Sequence, residues 1–187
     1  MKKIIFDNKI NLLFLLISFF WLINVVGIEN ISFKNIKWLH SLETSTHQIG
    51  WYFFKNDIWR FPLGSNPNYG EMIGNCIVFS DSIPILALFF KLFKSFISEN
   101  FQYFSLWYFL CFYFQLFFSF KILKKFTNSE IYSLVGSFFF LIAPIFVYRV
   151  TFHAALSGQW ILLLTLFLGL NYNLEQKKLS WLFLIIF

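Results

Sequence analysis

Charge is scarce in this sequence. Only 13% of its 187 residues are Asp, Glu, Lys or Arg, against roughly 25% in ordinary soluble domains. A globule of this size in water could not hide the apolar surface that remains. Cysteine is nearly absent too. Cys76 and Cys111 lie 35 positions apart, which is neither a zinc spacing nor a disulfide framework. Arg occurs twice, and the basic residues sit at segment ends and along one loop rather than in a stripe, so no nucleic acid is expected as a partner. There is no phosphate-cradling glycine loop, no serine elbow and no zinc motif. These absences exclude a soluble enzyme, a nucleic-acid binder and a disulfide scaffold.

Apolar residues fill the space: 58% are hydrophobic, 24% aromatic, and the mean hydropathy is +0.66. They come in long runs, the pattern of an all-α, multi-pass membrane protein. Thirty Phe, with Lys far above Arg, also fit an AT-rich genome, so the aromatic stripes carry no cofactor meaning.

The first run, Ile10 to Ile28, follows Lys2, Lys3 and Lys9 and lacks a small-residue cleavage site. It reads as an uncleaved anchor with a cytoplasmic N-terminus. Residues 29–102 form a long, aromatic-rich first loop punctuated by Gly and Pro. Within it, 77–97 is apolar yet holds Asp81, Pro84, Lys91 and Lys94. Further spans are expected at 103–120, 131–148 and 156–170. The stretch 179–187 is too short to cross a bilayer of about 30 Å, as in an N-terminal piece of a longer protein. Thr127 to Glu130 is a capping-box pattern opening the span at 131. If 77–93 spans, five later lysines fall outside; if it lies along the interface or re-enters, they fall inside with the first three. The positive-inside rule favours the second arrangement, with 29–102 on the outer face.

Several loop residues could do chemistry. Glu43 and His47, spaced i and i+4, share a face if helical and could hold a divalent ion or orient a hydroxyl. Asp81, a carboxylate in an apolar stretch, points to function; Ser80, Asp81 and Ser82 before Pro84 equally fit a helix cap. Arg149 and His153 suit a phosphate group, or a snorkelling Arg beside an interfacial His. Gln115 and Gln159 fit interhelical hydrogen bonds. Asn30-Ile31-Ser32 matches the glycosylation acceptor pattern, a frequent short match.

The segments His47 to Lys55, Trp59 to Gly64, Asn66 to Gly70, Ile77 to Pro84 and Phe101 to Phe104 run in the order of a known group. With Arg149, His153 and Trp160, they resemble an uncharacterised family of bacterial multi-pass proteins similar to GT-C glycosyltransferases. The resemblance implies an inner-membrane enzyme with a large extracytoplasmic first loop and an acidic residue essential to catalysis. It implies a polyprenyl-phosphate sugar as donor, membrane lipid as surroundings and, in some members, a divalent metal. Glu43, Asp81 and His47 would be catalytic; Arg149, His153, Trp51, Trp59 and Lys55 would bind substrate. Glu43 stands where Asp is expected. Either Asp81 carries the chemistry, or Glu43 does from an adjusted backbone, or this copy is inactive. The other reading is a non-enzymatic lipid or polysaccharide transporter or assembly factor.

Overall fold

Helix α4, Phe104–Thr127, is the post against which the other long helices pack. Its sequence runs 24 residues without Pro or Gly. Lys124 and Lys125 sit in its last turn, where cations favour the helix C-terminus. The computed structural model describes residues 2–40, 44–70 and 73–171. Among them are seven α-helices, four short 3-10 turns and one two-stranded pairing, an all-α architecture in its essentials.

Helix α1, Lys2–Val26, meets α4 along Ile10, Phe14, Ser18 and Leu22, a stripe spaced by four that is buried. Phe14 lies edge-on to Phe120 at 5.5 Å. The rest of α1 turns large side chains outward, among them Leu12, Leu16, Phe19 and Phe20. Such a surface suits lipid rather than water. Two helices, Asn8–Val26 and Phe104–Thr127, are long and apolar enough to cross a membrane.

A third crossing would need two helices together. The span expected at 131–148 is instead α5, Glu130–Leu141, and α6, Pro144–Phe152, bent by 50°. Pro144 lacks a backbone N–H and pushes Ala143 into extended geometry, so the α5 ladder stops there. Ser129, rather than Thr127, caps α5 by accepting from the Tyr132 amide at 3.4 Å. Glu130 turns back to pair with Lys124. Gly136, on α5, faces α4 so closely that a Cβ would lie 2.6 Å from Leu123, with Ser133 and Ser137 buried beside it.

Other boundaries also shift. Helix α1 stops at Val26 because Gly27 adopts φ 91°. Helix α4 runs past Phe120 to Thr127, since Lys121, Lys124 and Lys125 are good helix formers. Helix α7 is Trp160–Asn171, preceded by a 3-10 turn at Ala155–Ser157. The expected start of a further span at 179–187 lies outside the described residues.

Between α1 and α4 the chain builds a small unit of its own. Helix α2, Thr44–Asn56, packs on α3, Pro84–Leu92, and on the 3-10 turn Ile77–Ser80. Strands β1, Ser65–Asn66, and β2, Asn75–Cys76, pair antiparallel. The apolar stretch 77–97 is therefore not one helix. It is a turn, a kink at 81–83 and a helix of nine residues.

Candidate functional site

The kink at 81–83 is where the unit meets the segment that follows α6. Asp81 has φ 53° and Ile83 φ 49°. The left-handed region is tolerable for Asp but strained for a β-branched residue, at a cost of about 1–3 kcal/mol. The helix cap expected of Ser80, Asp81 and Ser82 does not form: Ile83 is the N-cap of α3 and no side chain caps it. Freed from capping, Asp81 turns toward α2 and the end of α6.

Its Oδ2 lies 3.6 Å from His47 Nε2, and its Oδ1 accepts from the Ala155 amide at 3.0 Å. The His47 ring is buried on α2, whereas the Asp81 side chain is 26% exposed. Nδ1 of His47 faces the Ser80 carbonyl at 3.2 Å, and Nε2 also faces the Phe152 carbonyl at 3.3 Å. Each ring nitrogen thus has a backbone carbonyl within reach, and Nδ1 also lies 3.4 Å from the Thr46 hydroxyl. The Asp81 carboxylate has about four lone-pair sites, so its exposed edge remains open to a ligand.

A web of short polar contacts holds this pair. Ser82 Oγ donates to the His47 carbonyl at 2.7 Å and lies 2.8 Å from Ser80 Oγ. Tyr103 donates its hydroxyl to the Ser82 carbonyl. Gly50, one turn after His47, makes the approach possible: a Cβ there would sit 2.3 Å from Ser80 Cβ. The buried hydroxyl of Tyr108 has no hydrogen-bond partner among the described residues.

Helix α6 supplies the other side. The Phe152 carbonyl and Ala155 amide that close the pair flank His153, and Phe152 lies three residues after Arg149. Arg149 is half-buried, 5.9 Å from the Tyr148 ring, and pairs with no carboxylate among the described residues. His47 and Asp81 thus meet directly, and Arg149 and His153 lie on the chain segment whose backbone closes the pair. Glu43 lies outside the described residues.

The other three go elsewhere. Trp51 is wholly buried and donates its indole N–H to the Phe101 carbonyl at 3.0 Å, so it has no free surface for a sugar in this conformation. Lys55 is buried, its ammonium on the Ser98 and Glu99 carbonyls. Burial lowers its pKa, partly offset by the nearby Glu99. Trp59 is partly exposed but lies 4.9 Å from the Lys91 ammonium. Lys91, itself buried, donates to the Ile58 carbonyl at 3.2 Å and sits 3.9 Å over Phe54. Beside it, Asp57 takes two hydrogen bonds from Arg60; chiefly this guanidinium holds its carboxyl below the usual range.

No group of three His, Cys, Asp or Glu suited to a metal exists among the described residues. His47 already directs both ring nitrogens at backbone carbonyls and at Asp81, so it offers no free donor to a divalent ion.

The family comparison extends well beyond this junction. Residues 15–187 match the model described as a domain of unknown function, DUF6311. The chain belongs to the DUF6311 family. No curated protein and no solved structure matches it. The DUF6311 match spans the α2 unit and the long apolar helices alike, so the junction lies wholly within the family's domain.

Proposed function

We propose that this DUF6311 chain is an inner-membrane glycosyltransferase of GT-C type. It transfers a sugar from a polyprenyl-phosphate donor to an extracytoplasmic acceptor, with its N-terminus in the cytoplasm. The observation that carries this reading is the part-exposed Asp81 carboxylate, held on strained backbone against a buried histidine. Strain of this kind concentrates at functional sites, and the exposed edge of this carboxylate is open to an acceptor hydroxyl.

In this scheme the open edge of Asp81 takes the proton of the acceptor hydroxyl as its oxygen attacks the anomeric carbon. The bond from that carbon to the phosphate oxygen breaks, and its electron pair leaves with the phosphate. Arg149 and His153 meet the charge that develops there. His47 touches no reacting atom; it is a positioning residue that fixes the carboxylate. No step runs through a metal.

Asp81→Asn preserves the acceptor for the Ala155 amide and removes the base. Sealed right-side-out vesicles, given a labelled polyprenyl-phosphate hexose and an impermeant acceptor, should lose transfer by about 100-fold or more, with an unchanged melting profile. Transfer at the wild-type rate by Asp81→Asn would remove the assignment; Glu43→Gln then tests the other carboxylate. Transfer only in inverted vesicles would reverse the proposed topology.

A second reading has its own observation. Both nitrogens of His47 are engaged, which suits a latch between α2 and α6 in a non-enzymatic transporter or assembly factor. In that case Asp81→Asn and His47→Gln lower thermal stability, and no donor sugar is consumed by any variant.

A further inference from the structure

Helix α3 is inside out. Lys91 is 1% exposed, whereas Ile85 is 73%, Phe89 52% and Leu92 67% exposed. The outward positions 85, 89, 92 and 93 are spaced i, i+4, i+7 and i+8, so they form one face. Phe89 and Phe93 touch along it, with ring centroids 5.2 Å apart. Ala87 and Lys91, on the other side, are buried against the unit. A helix with its ammonium in and its phenylalanines out is built for apolar surroundings.

We infer that α3 lies flat in the outer layer of an anionic bilayer, with Ile85, Phe89, Leu92 and Phe93 in lipid and the Arg60–Lys94 edge against the headgroups. Length supports a flat rather than a crossing helix. Nine residues at about 1.5 Å each give about 14 Å, less than half of the roughly 30 Å hydrocarbon core. Charge supports an anionic surface. Arg60 and Lys94 both reach Asp57, the first through its carboxylate and the second through its carbonyl at 3.5 Å, and Lys91 lies within electrostatic reach of all three. Lys94 is exposed and the Arg60 side chain is 41% exposed, so both can face phosphate. Trp59, also part-exposed there, has the amphipathic ring typical of this depth.

The docking does not depend on the glycosyl-transfer reading, but it has a consequence for it. Helix α3 begins three residues after Asp81, so a helix fixed in the interface holds the His47–Asp81 pair near the headgroup level. A lipid-linked substrate presents its phosphate at that level.

The test uses the full chain with Cys76→Ser and Cys111→Ser, reconstituted in vesicles of phosphatidylcholine and phosphatidylglycerol. Nitroxides are attached at Phe89→Cys and, separately, Phe93→Cys. Collision rates with oxygen and with a water-soluble nickel chelate are compared with those of lipids labelled along the acyl chain. The expected result is an oxygen preference matching upper acyl-chain positions at both sites. A nickel preference like that of a nitroxide in buffer would overturn the inference. So would shielding from both reagents, which would mean that protein covers the face. Removing phosphatidylglycerol should lower the oxygen-to-nickel ratio by about twofold. A ratio indifferent to lipid charge would overturn the headgroup role of Arg60 and Lys94.

Discussion

Near each end of helix α2 an acidic side chain meets a nitrogen-bearing one, and the two meetings are built differently. Near its start, His47 meets Asp81 across 3.6 Å, with Asp81 in a left-handed conformation and part of its carboxylate exposed. Just past its end, the Asp57 carboxylate is closed by Arg60 and its own neighbouring amide, while the Lys91 ammonium is covered by Phe54 and Trp59. The second cluster leaves little capacity unused and involves no left-handed residue. The first keeps an open carboxylate edge on strained backbone. Open capacity held under strain is the mark of a site; saturation in relaxed geometry is the mark of a brace.

The sharpest way to break this contrast is at Gly50. A valine there would drive its Cβ into Ser80, whose short side chain cannot swing clear. The His47 end should come apart at a cost of about 3 kcal/mol or more, seen as a lower melting temperature in detergent. The Asp57 end, beyond the same helix, should keep its acid response. Unchanged melting of Gly50→Val would mean that the kink does not pack as described.

Asp57→Asn tests the brace. It turns one of the two carboxylate oxygens that accept from Arg60 into an NH2 donor, removes the negative charge and leaves Lys91 without its carboxylate. Because Arg60 is half in water, the expected loss is about 1–2 kcal/mol. The pH dependence has a definite sign. The folded pKa of Asp57 lies below its ordinary 3.8, so its contribution is complete above that value and is lost as pH falls through the depressed one. Lys55 and Lys91, lowered mainly by burial, act at the other limb: stability rises with pH as it climbs from their folded values toward 10.5. Melting curves of Asp57→Asn should therefore show a flatter acid limb than wild type, with the alkaline limb retained. An unaltered acid limb would locate the acid sensitivity in another group.

The smallest effect is expected at Trp59. Trp59→Leu removes one of the two rings over Lys91 and should cost about 0.5–1 kcal/mol, read as a small drop in melting temperature. Sugar transfer should be unchanged if Trp59 serves the brace. A selective loss of transfer would return it to the donor site and blur the contrast.

How far these features could be read beforehand depended on the distance over which each is encoded. The runs that became α1 and α4 are local and long, so composition alone predicts them. The bend at Ala143 and Pro144 was written in the chain as well, yet a continuous apolar run over 131–148 masks a break whose cause is one missing N–H. Asp81 stood out because a carboxylate in an apolar stretch is costly. Its partners, the Ala155 amide and the Phe152 carbonyl, did not, because backbone groups have no signature in sequence. Tyr103 and Tyr108 were hidden among thirty phenylalanines and a wealth of other rings. Trp51 and Lys55 carried the residue types of a binding site and became internal supports.

By itself, the sequence determined that this is an apolar, helical chain with segments able to cross a membrane, and it marked the carboxylate and the cations available for chemistry. Those properties follow from side-chain transfer energies and helix length, which add up locally. Only the tertiary structure decided which side chain meets which: that His47 takes Asp81, that Lys91 turns inward while Phe89 turns out, and that the end of α6 closes the junction. Such choices depend on backbone kinks and on close approaches such as that of Gly50 to Ser80, where a clash of a single carbon atom decides whether two distant segments can touch.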